Sequence, residues 1–213
     1  QRGITVCNCR GYGTPAVVQH VFALLLELMT QLSAYRQAVR AGRWQRSSQF
    51  CLLDFPIREL AGKTLGIIGY GELGQGVARV AEAFGMQVLI AQRPGAVEPE
   101  EGRVPLPMLL PQVDVLSLHC PLTPETRGLI GAWELALMRR DAILINTARG
   151  GLVDETLLAA ALRQGALGGV GVDVLSLEPP VDGNPLLAPD IPNLIVTPHS
   201  AWGSRESRQR LLM

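Results

Sequence analysis

Charge of one sign is the first thing this 213-residue sequence lacks: nineteen Lys and Arg are matched by nineteen Asp and Glu. Without a basic surplus there is no electrostatic signature of a nucleic acid or an anionic membrane surface as partner. Cysteine is scarce and scattered, at Cys7, Cys9, Cys51 and Cys120. The spacing is not that of a zinc ribbon, and no metal site is expected. Cys7-x-Cys9 is the one close pair, and on a strand both would face the same side. Ordinary reduced thiols of a cytoplasmic protein are the simpler account of all four. A long hydrophobic run is missing too. The most apolar stretch, residues 16–32 (AVVQHVFALLLELMTQL), carries Gln19, His20 and Glu27 and is short for a membrane span, which leaves a buried or interface helix. No signal peptide is visible. The chain opens at Gln1 rather than Met, enters a strand-like segment at GITVCN (3–8), and stops at Met213 within a helical pattern. It reads as a piece of a longer protein.

Hydrophobic residues are abundant by contrast, 47% against 18% charged, enough to bury a sizeable core. Beyond residue 60, strand-like and helix-like runs alternate. TLGIIGY (64–70), MQVLIA (86–91), VDVLSL (113–118), AILIN (142–146), GVGVDV (169–174) and LIVT (194–197) are short and apolar, as buried strands are. Leu73, Val77, Val80, Ala81 and Phe84 share one helical face, with Gly85 as its stop. Further helical patterns cover about 126–138 and 154–163. The Pro-rich stretch 94–111 predicts a loop with at most a short strand and helix, and 40–56 predicts an extended connection. Strands separated by helices imply right-handed crossovers, hence an α/β, doubly wound parallel sheet with helices on both faces.

Gly69-x-Gly71-x-x-Gly74 lies directly after the first of these strands and directly before a helix. In that context the motif marks a dinucleotide site. Gly69 permits the turn, Gly71 lets a pyrophosphate approach the backbone, and Gly74 lets helix and strand pack closely. The amides of Glu72 and Leu73 at the helix start then face the phosphates. An acid at the end of the second strand would favour NAD, but Gln92 stands there, followed by Arg93. Gln can hydrogen-bond a ribose hydroxyl without repelling a 2′-phosphate, and Arg93 is either a partner for that phosphate or a solvated surface residue. Both NAD(H) and NADP(H) stay open as cofactor.

Three strand ends carry polar residues: Arg149 after AILIN, Asp173 with Glu178 after GVGV, and His199 after LIVT. In a doubly wound sheet such ends gather at the carboxyl edge, beside the glycine turn. A guanidinium fork holds a carboxylate and polarises its neighbouring carbonyl. An imidazole passes a proton to the carbonyl oxygen, and a carboxylate orients the ring. His199 alone would be taken for a packing residue. With Arg149 and Glu178 at matching positions it becomes a catalytic candidate. His20, inside an apolar helical stretch, is read as structural, and His119 as lining a cofactor pocket.

Five segments in order resemble the D-isomer-specific 2-hydroxyacid dehydrogenases: LAGKTLGIIGYGELG (60–74), LHCPLTPETRGLI (118–130), INTARGGLVDE (145–155), GVDVLSLEPP (171–180) and NLIVTPHSAW (193–202). SAW after the histidine is most similar to the glycerate dehydrogenase/hydroxypyruvate reductase branch. The resemblance implies a Rossmann NAD(P)-binding domain, residues 1–213, most of the smaller substrate domain being absent. It divides into a hinge and dimerisation segment (1–60, with a helix over about 15–34), a Rossmann core (61–199), and the start of a returning helix (200–213). It implies catalytic roles for Arg149, Glu178 and His199, with Asp173 near the nicotinamide carboxamide. Thr126, Thr147, Ala148 and Ala201 would line the cofactor, and His119, Cys120, Pro121 and Leu122 would border its adenine side. The implied substrate is a small 2-oxo or 2-hydroxy acid, and the implied assembly a cytoplasmic homodimer. Trp202 either walls the substrate pocket or packs a dimer. The rival expectation is a dinucleotide-sensing dimeric interaction module of the corepressor type.

Overall fold

The computed structural model of the chain describes residues 9–96, 98 and 100–213; the GITVCN segment and Cys7 lie outside the described residues. Six parallel strands form one sheet: β1 (Thr64–Ile68), β2 (Gln87–Ile90), β3 (Val115–Leu118), β4 (Ile143–Asn146), β5 (Gly169–Val172) and β6 (Leu194–Val196). Their spatial order is β2-β1-β3-β4-β5-β6. Each stands where the apolar runs predict it, trimmed by one or two residues. Beyond β2 the Pro-rich stretch adds a single bridge, Ala91 to Val104.

The helices are α1 (Thr14–Thr30), α2 (Leu32–Arg40), α3 (Glu72–Ala83), α4 (Leu106–Leu109), α5 (Ala132–Leu137), α6 (Glu155–Arg163) and α7 (Arg205–Leu212). Successive strand residues point to opposite faces, and the core divides accordingly. Leu65, Ile67, Val115, Ile143 and Ile145 pack with Leu24, Leu25 and Leu28 of α1 and Val77 and Ala81 of α3. Ile68, Leu116, Leu118, Leu144 and Val170 pack with Leu109, Leu135 and Leu158 on the other face. Each such fully buried Leu or Ile stabilises the fold by about 1.5–3 kcal/mol. The apolar stretch at 16–32 is therefore a core helix of the sheet, more than a hinge or a connection. Among the described residues no single helix is long and apolar enough to cross a membrane.

Three local expectations need correcting. The helix expected over 15–34 breaks at Gln31, whose left-handed backbone (φ 54°) ends α1 while its amide still bonds Glu27 O at 2.9 Å. No Gly or Pro announces that break. Residues 40–56 are not simply extended: turns fill 41–46, Arg43 pairs with Asp54 at 2.5 Å, and Tyr35 Oη donates to Phe55 O at 2.6 Å. The helix expected over 126–138 shrinks to α5, because the Gly128 and Ile130 amides pair with Gly151 and Leu152 carbonyls instead of a helical turn.

β1 lies between β2 and β3, so the chain order reverses there and opens a crevice above the carboxyl ends of the strands. In open α/β sheets that crevice is where ligands bind.

Candidate active site

The glycine turn sits at the mouth of this crevice, and its three glycines do three different things. Gly69 follows β1 with φ +93°, and a Cβ there would lie 2.5 Å from Cys120 N. A Cβ on Gly74 would run into the Gly69 carbonyl oxygen, so α3 and β1 pack as closely as backbone permits. At Gly71 a Cβ would meet nothing within 4 Å. Its missing side chain leaves open space in front of the turn. Gly71 also caps α3 without any side-chain acceptor, so the first amides, those of Glu72 and Leu73, have no helical partner. The Glu72 carboxylate itself accepts from Thr14 Oγ1 at 2.5 Å, tying the start of α3 to the start of α1.

A cleft of about 410 Å³ runs from these amides to the ends of β4, β5 and β6. Glu72, Leu73, Thr147, Arg149, Asp173, His199 and Ala201 line it, together with Arg10, Tyr12 and Trp202. Arg10 and Tyr12 carry no motif that singles them out in the sequence. Trp202 packs edge-on to Tyr12 with centroids 6.4 Å apart, which places it as a cleft wall. After β4, Asn146 shapes the turn: its Oδ1 accepts from Ala148 N at 3.0 Å and its Nδ2 donates to Arg149 O at 2.8 Å. Arg149 is exposed, and its only side-chain hydrogen bond among the described residues goes to Ala148 O, 2.6 Å. Its fork is free for an anion. Ala148 is buried beside it. Thr147 Oγ1 is buried in the cleft with no hydrogen-bond partner among the described residues.

His199 Nδ1 lies 2.6 Å from Glu178 Oε2, while Glu178 Oε1 accepts from Leu175 N at 2.8 Å. His199 lines both the cleft and a second cavity of about 550 Å³, which Leu175, Glu178, Pro180 and Val196 also line. His199 has φ +51°, a left-handed conformation that a non-glycine residue keeps only when its surroundings impose it. Asp173 imposes it. The Asp173 carbonyl accepts from His199 N at 2.8 Å. Its carboxylate, 1% exposed, accepts from Thr197 Oγ1 (2.5 Å), Ser200 N (2.9 Å) and Ala201 N (2.8 Å). His20 Nε2 lies 2.9 Å from Thr197 Oγ1. Since that hydroxyl commits its proton to Asp173, the His20 ring must be the donor. His20 thus braces the loop of His199 from α1.

Glu155 braces the site without any motif of its own to mark it. Buried at the first turn of α6, it accepts from Ser176 N (2.6 Å), Ser176 Oγ (2.6 Å) and Asn184 Nδ2 (2.7 Å). It thereby pins the loop that carries Glu178. Gly150 pins the same loop from the other side, because a Cβ there would overlap the backbone of Leu175 and Ser176. The Arg149 and Glu178 loops are interlocked. The sequence signal was a carboxylate just after an Asp N-cap (Asp154 accepts from Leu157 N, 3.0 Å), which looks like ordinary helix capping.

The far end of the crevice is a cavity of about 440 Å³ lined by Gly69, Gly71, Arg93, Arg103, Cys120, Pro121, Thr123 and Thr126. Gln92 does not reach into it. Its amide donates to Ala96 O and Glu98 O, at 3.4 and 2.9 Å, within its own loop. His119 presents backbone to Gly69 but its ring turns away, sharing a 2.8 Å hydrogen bond with Ser117 and leaving Nδ1 buried and unpartnered. The expected pocket-lining role passes to its neighbours. Burial lowers the His119 pKa to about 4. Burial pushes the Cys120 thiol up, with a backbone hydrogen bond opposing.

An uncapped helix start behind an open Gly71 fits a dinucleotide laid along the crevice, with the Thr147 hydroxyl and the Arg149 guanidinium beside it. Comparison with known proteins agrees. Residues 22–201 match the model of the D-isomer specific 2-hydroxyacid dehydrogenase NAD binding domain. A glycerate dehydrogenase of Methylorubrum extorquens is 53% identical over 210 residues, 99% of this chain and 66% of that protein. The crystal structure of a Thermus thermophilus protein superposes with a TM-score of 0.84 at 41% identity, over 99% of this chain and 65% of that one. An NADPH-dependent glyoxylate/hydroxypyruvate reductase of Sinorhizobium meliloti, solved with NADP and malonate, gives 0.79 at 34% identity, over 97% and 63%. The chain thus spans about two thirds of the length of these relatives.

Proposed function

Because this chain belongs to the D-isomer specific 2-hydroxyacid dehydrogenases by its NAD binding domain, we propose that it reduces a small 2-oxo acid, hydroxypyruvate or glyoxylate, reversibly to the D-2-hydroxy acid. The observation that carries this is the 2.6 Å pair of His199 and Glu178 beside the same cleft as the free fork of Arg149. Bound NAD(P)H supplies the hydride. Arg149 holds the substrate carboxylate bidentately, which fixes the adjacent carbonyl in the cleft. Glu178 accepts from Nδ1–H of His199, so Nε2 is the nitrogen presented to the carbonyl oxygen. His199 delivers the proton there as the carbonyl is reduced, and takes it back in the oxidation. Reduction uses protonated His199 and oxidation the neutral ring.

Pairing with a second copy is supported by the exposed apolar side chains of Trp44, Phe50, Leu53 and Ile57 on the segment after α2, a patch of the kind that marks an interface. Free Cys9, Cys51 and Cys120 accord with a cytoplasmic setting. Initial-rate kinetics on the full-length protein test the reaction: hydroxypyruvate, glyoxylate and pyruvate, each with NADH and NADPH. Turnover of hydroxypyruvate or glyoxylate is the expected result, and the absence of turnover on all three contradicts it.

A further inference from the structure

The adenosine end of the crevice holds an ion cluster that the reaction itself does not need. Glu100 places one carboxylate oxygen 2.8 Å from Arg93 Nε and the other 3.4 Å from Arg103 Nε. The second oxygen also accepts from the Arg93 amide at 2.9 Å. Arg103 is held in turn by Ala91 O, 3.2 Å from its Nη1, at the end of the second strand. Both arginines line the 440 Å³ cavity in front of Gly69 and Gly71. Solvent-exposed ion pairs contribute little and take many geometries, but this one is partly sheltered: the Arg103 and Glu100 side chains are 19% and 22% exposed, against 73% for Arg93. Two guanidinium groups and an amide therefore converge on a single anion position, and the chain fills that position with its own carboxylate.

The position lies one residue past Gln92, where an adenosine ribose is met in this type of sheet, and a neutral amide at 92 repels no phosphate. We propose that Arg93 and Arg103 form the site for the ribose 2′-phosphate of NADP(H), and that Glu100 is its intramolecular occupant, displaced when the phosphate binds. This rests on the dinucleotide reading of the crevice. NAD(H) leaves Glu100 in place. A 2′-phosphate, with more than one negative charge near pH 7 and three acceptor oxygens, outcompetes a singly charged carboxylate for two forks. Glu98 and Glu101 on the same loop and Glu125 beside it oppose the incoming phosphate. Glu100 thus sets the ratio of the two cofactors, and Arg103 discriminates between them from twelve residues beyond the strand end.

Calorimetric binding of adenosine 2′,5′-bisphosphate and of 5′-AMP to the full-length protein tests this without relying on turnover. Glu100→Gln is expected to tighten the bisphosphate about tenfold, Arg103→Ala to weaken it about tenfold, and both to leave 5′-AMP within about twofold. Thermal melting of each variant checks that the loop change stays local. Bisphosphate affinity that ignores both substitutions, or that moves in step with 5′-AMP, overturns the proposal and leaves the dinucleotide site standing. Failure of the wild-type protein to bind either nucleotide overturns both.

Discussion

The two ends of the crevice use the same parts, charged side chains on loops that follow parallel strands, and hold them in opposite ways. At the substrate end the acids are buried and saturated: Asp173 takes two amides and a hydroxyl, and Glu155 an amide, a hydroxyl and a carboxamide. At the adenosine end the half-buried Glu100 meets two guanidinium groups and a single amide. A buried carboxylate with neutral N–H donors has no cheap alternative, since its release leaves orphan donors at about 1–3 kcal/mol each. A side-chain ion pair near water can be exchanged for another anion at little cost. The His199–Glu178 end is therefore rigidly held, while the Glu100 contact is exchangeable.

The largest effect expected from breaking the rigid end comes from Gly150→Ala. Its Cβ has no room against Leu175 and Ser176, so the Arg149 and Glu178 loops must part. We expect kcat/KM to fall about 100-fold or more with a lower Tm, read by kinetics and thermal melting; a variant with wild-type kcat/KM contradicts the interlock. Glu155→Gln comes next. It keeps the size of the side chain but turns one acceptor into a donor facing Ser176 and Asn184. We expect kcat to fall about tenfold with cofactor KM unchanged, from a proton donor less well placed. An altered pH–rate profile separates this from simple loss of stability, and an unchanged profile contradicts it.

The smallest effect on activity, with one on stability, belongs to His119 between the two ends. Its folded pKa, about 4, lies below the ordinary 6.5, so the unfolded chain binds a proton that the folded chain refuses. Stability is full above pH 6.5 and is lost as pH falls toward 4, by about 3 kcal/mol at most from this residue. His119→Gln is expected to flatten that part of the acid loss in urea unfolding at pH 7 and pH 4.5, with kcat nearly unchanged. The same loss with and without the histidine contradicts the assignment.

Much of this was legible in the sequence, and the divide follows the same contrast. The strands, the glycine turn, and Arg149, Glu178 and His199 announce themselves locally, by apolar period and by position at a strand end. Glu155 does not, because it acts through Ser176 and Asn184, 21 and 29 residues away. Arg103 is hidden because it lies within the Pro-rich stretch, and only the folded loop brings it to the Ala91 carbonyl and the cavity. The break at Gln31 and the short α5 were illegible because tertiary hydrogen bonds, not local propensity, decide them. His119 shares the strand-end position of Arg149 and His199, yet Ser117 draws its ring inward, and no spacing rule reports which way a ring turns.

We propose that His199, held by Glu178 and by the Asp173 loop, moves the proton. The direct measurement is kcat for hydroxypyruvate reduction by full-length His199→Gln, with NADH binding followed in parallel by fluorescence. The account predicts a loss of about 10²–10⁴-fold in kcat with NADH affinity within about twofold of wild type. Wild-type turnover by that variant would contradict it.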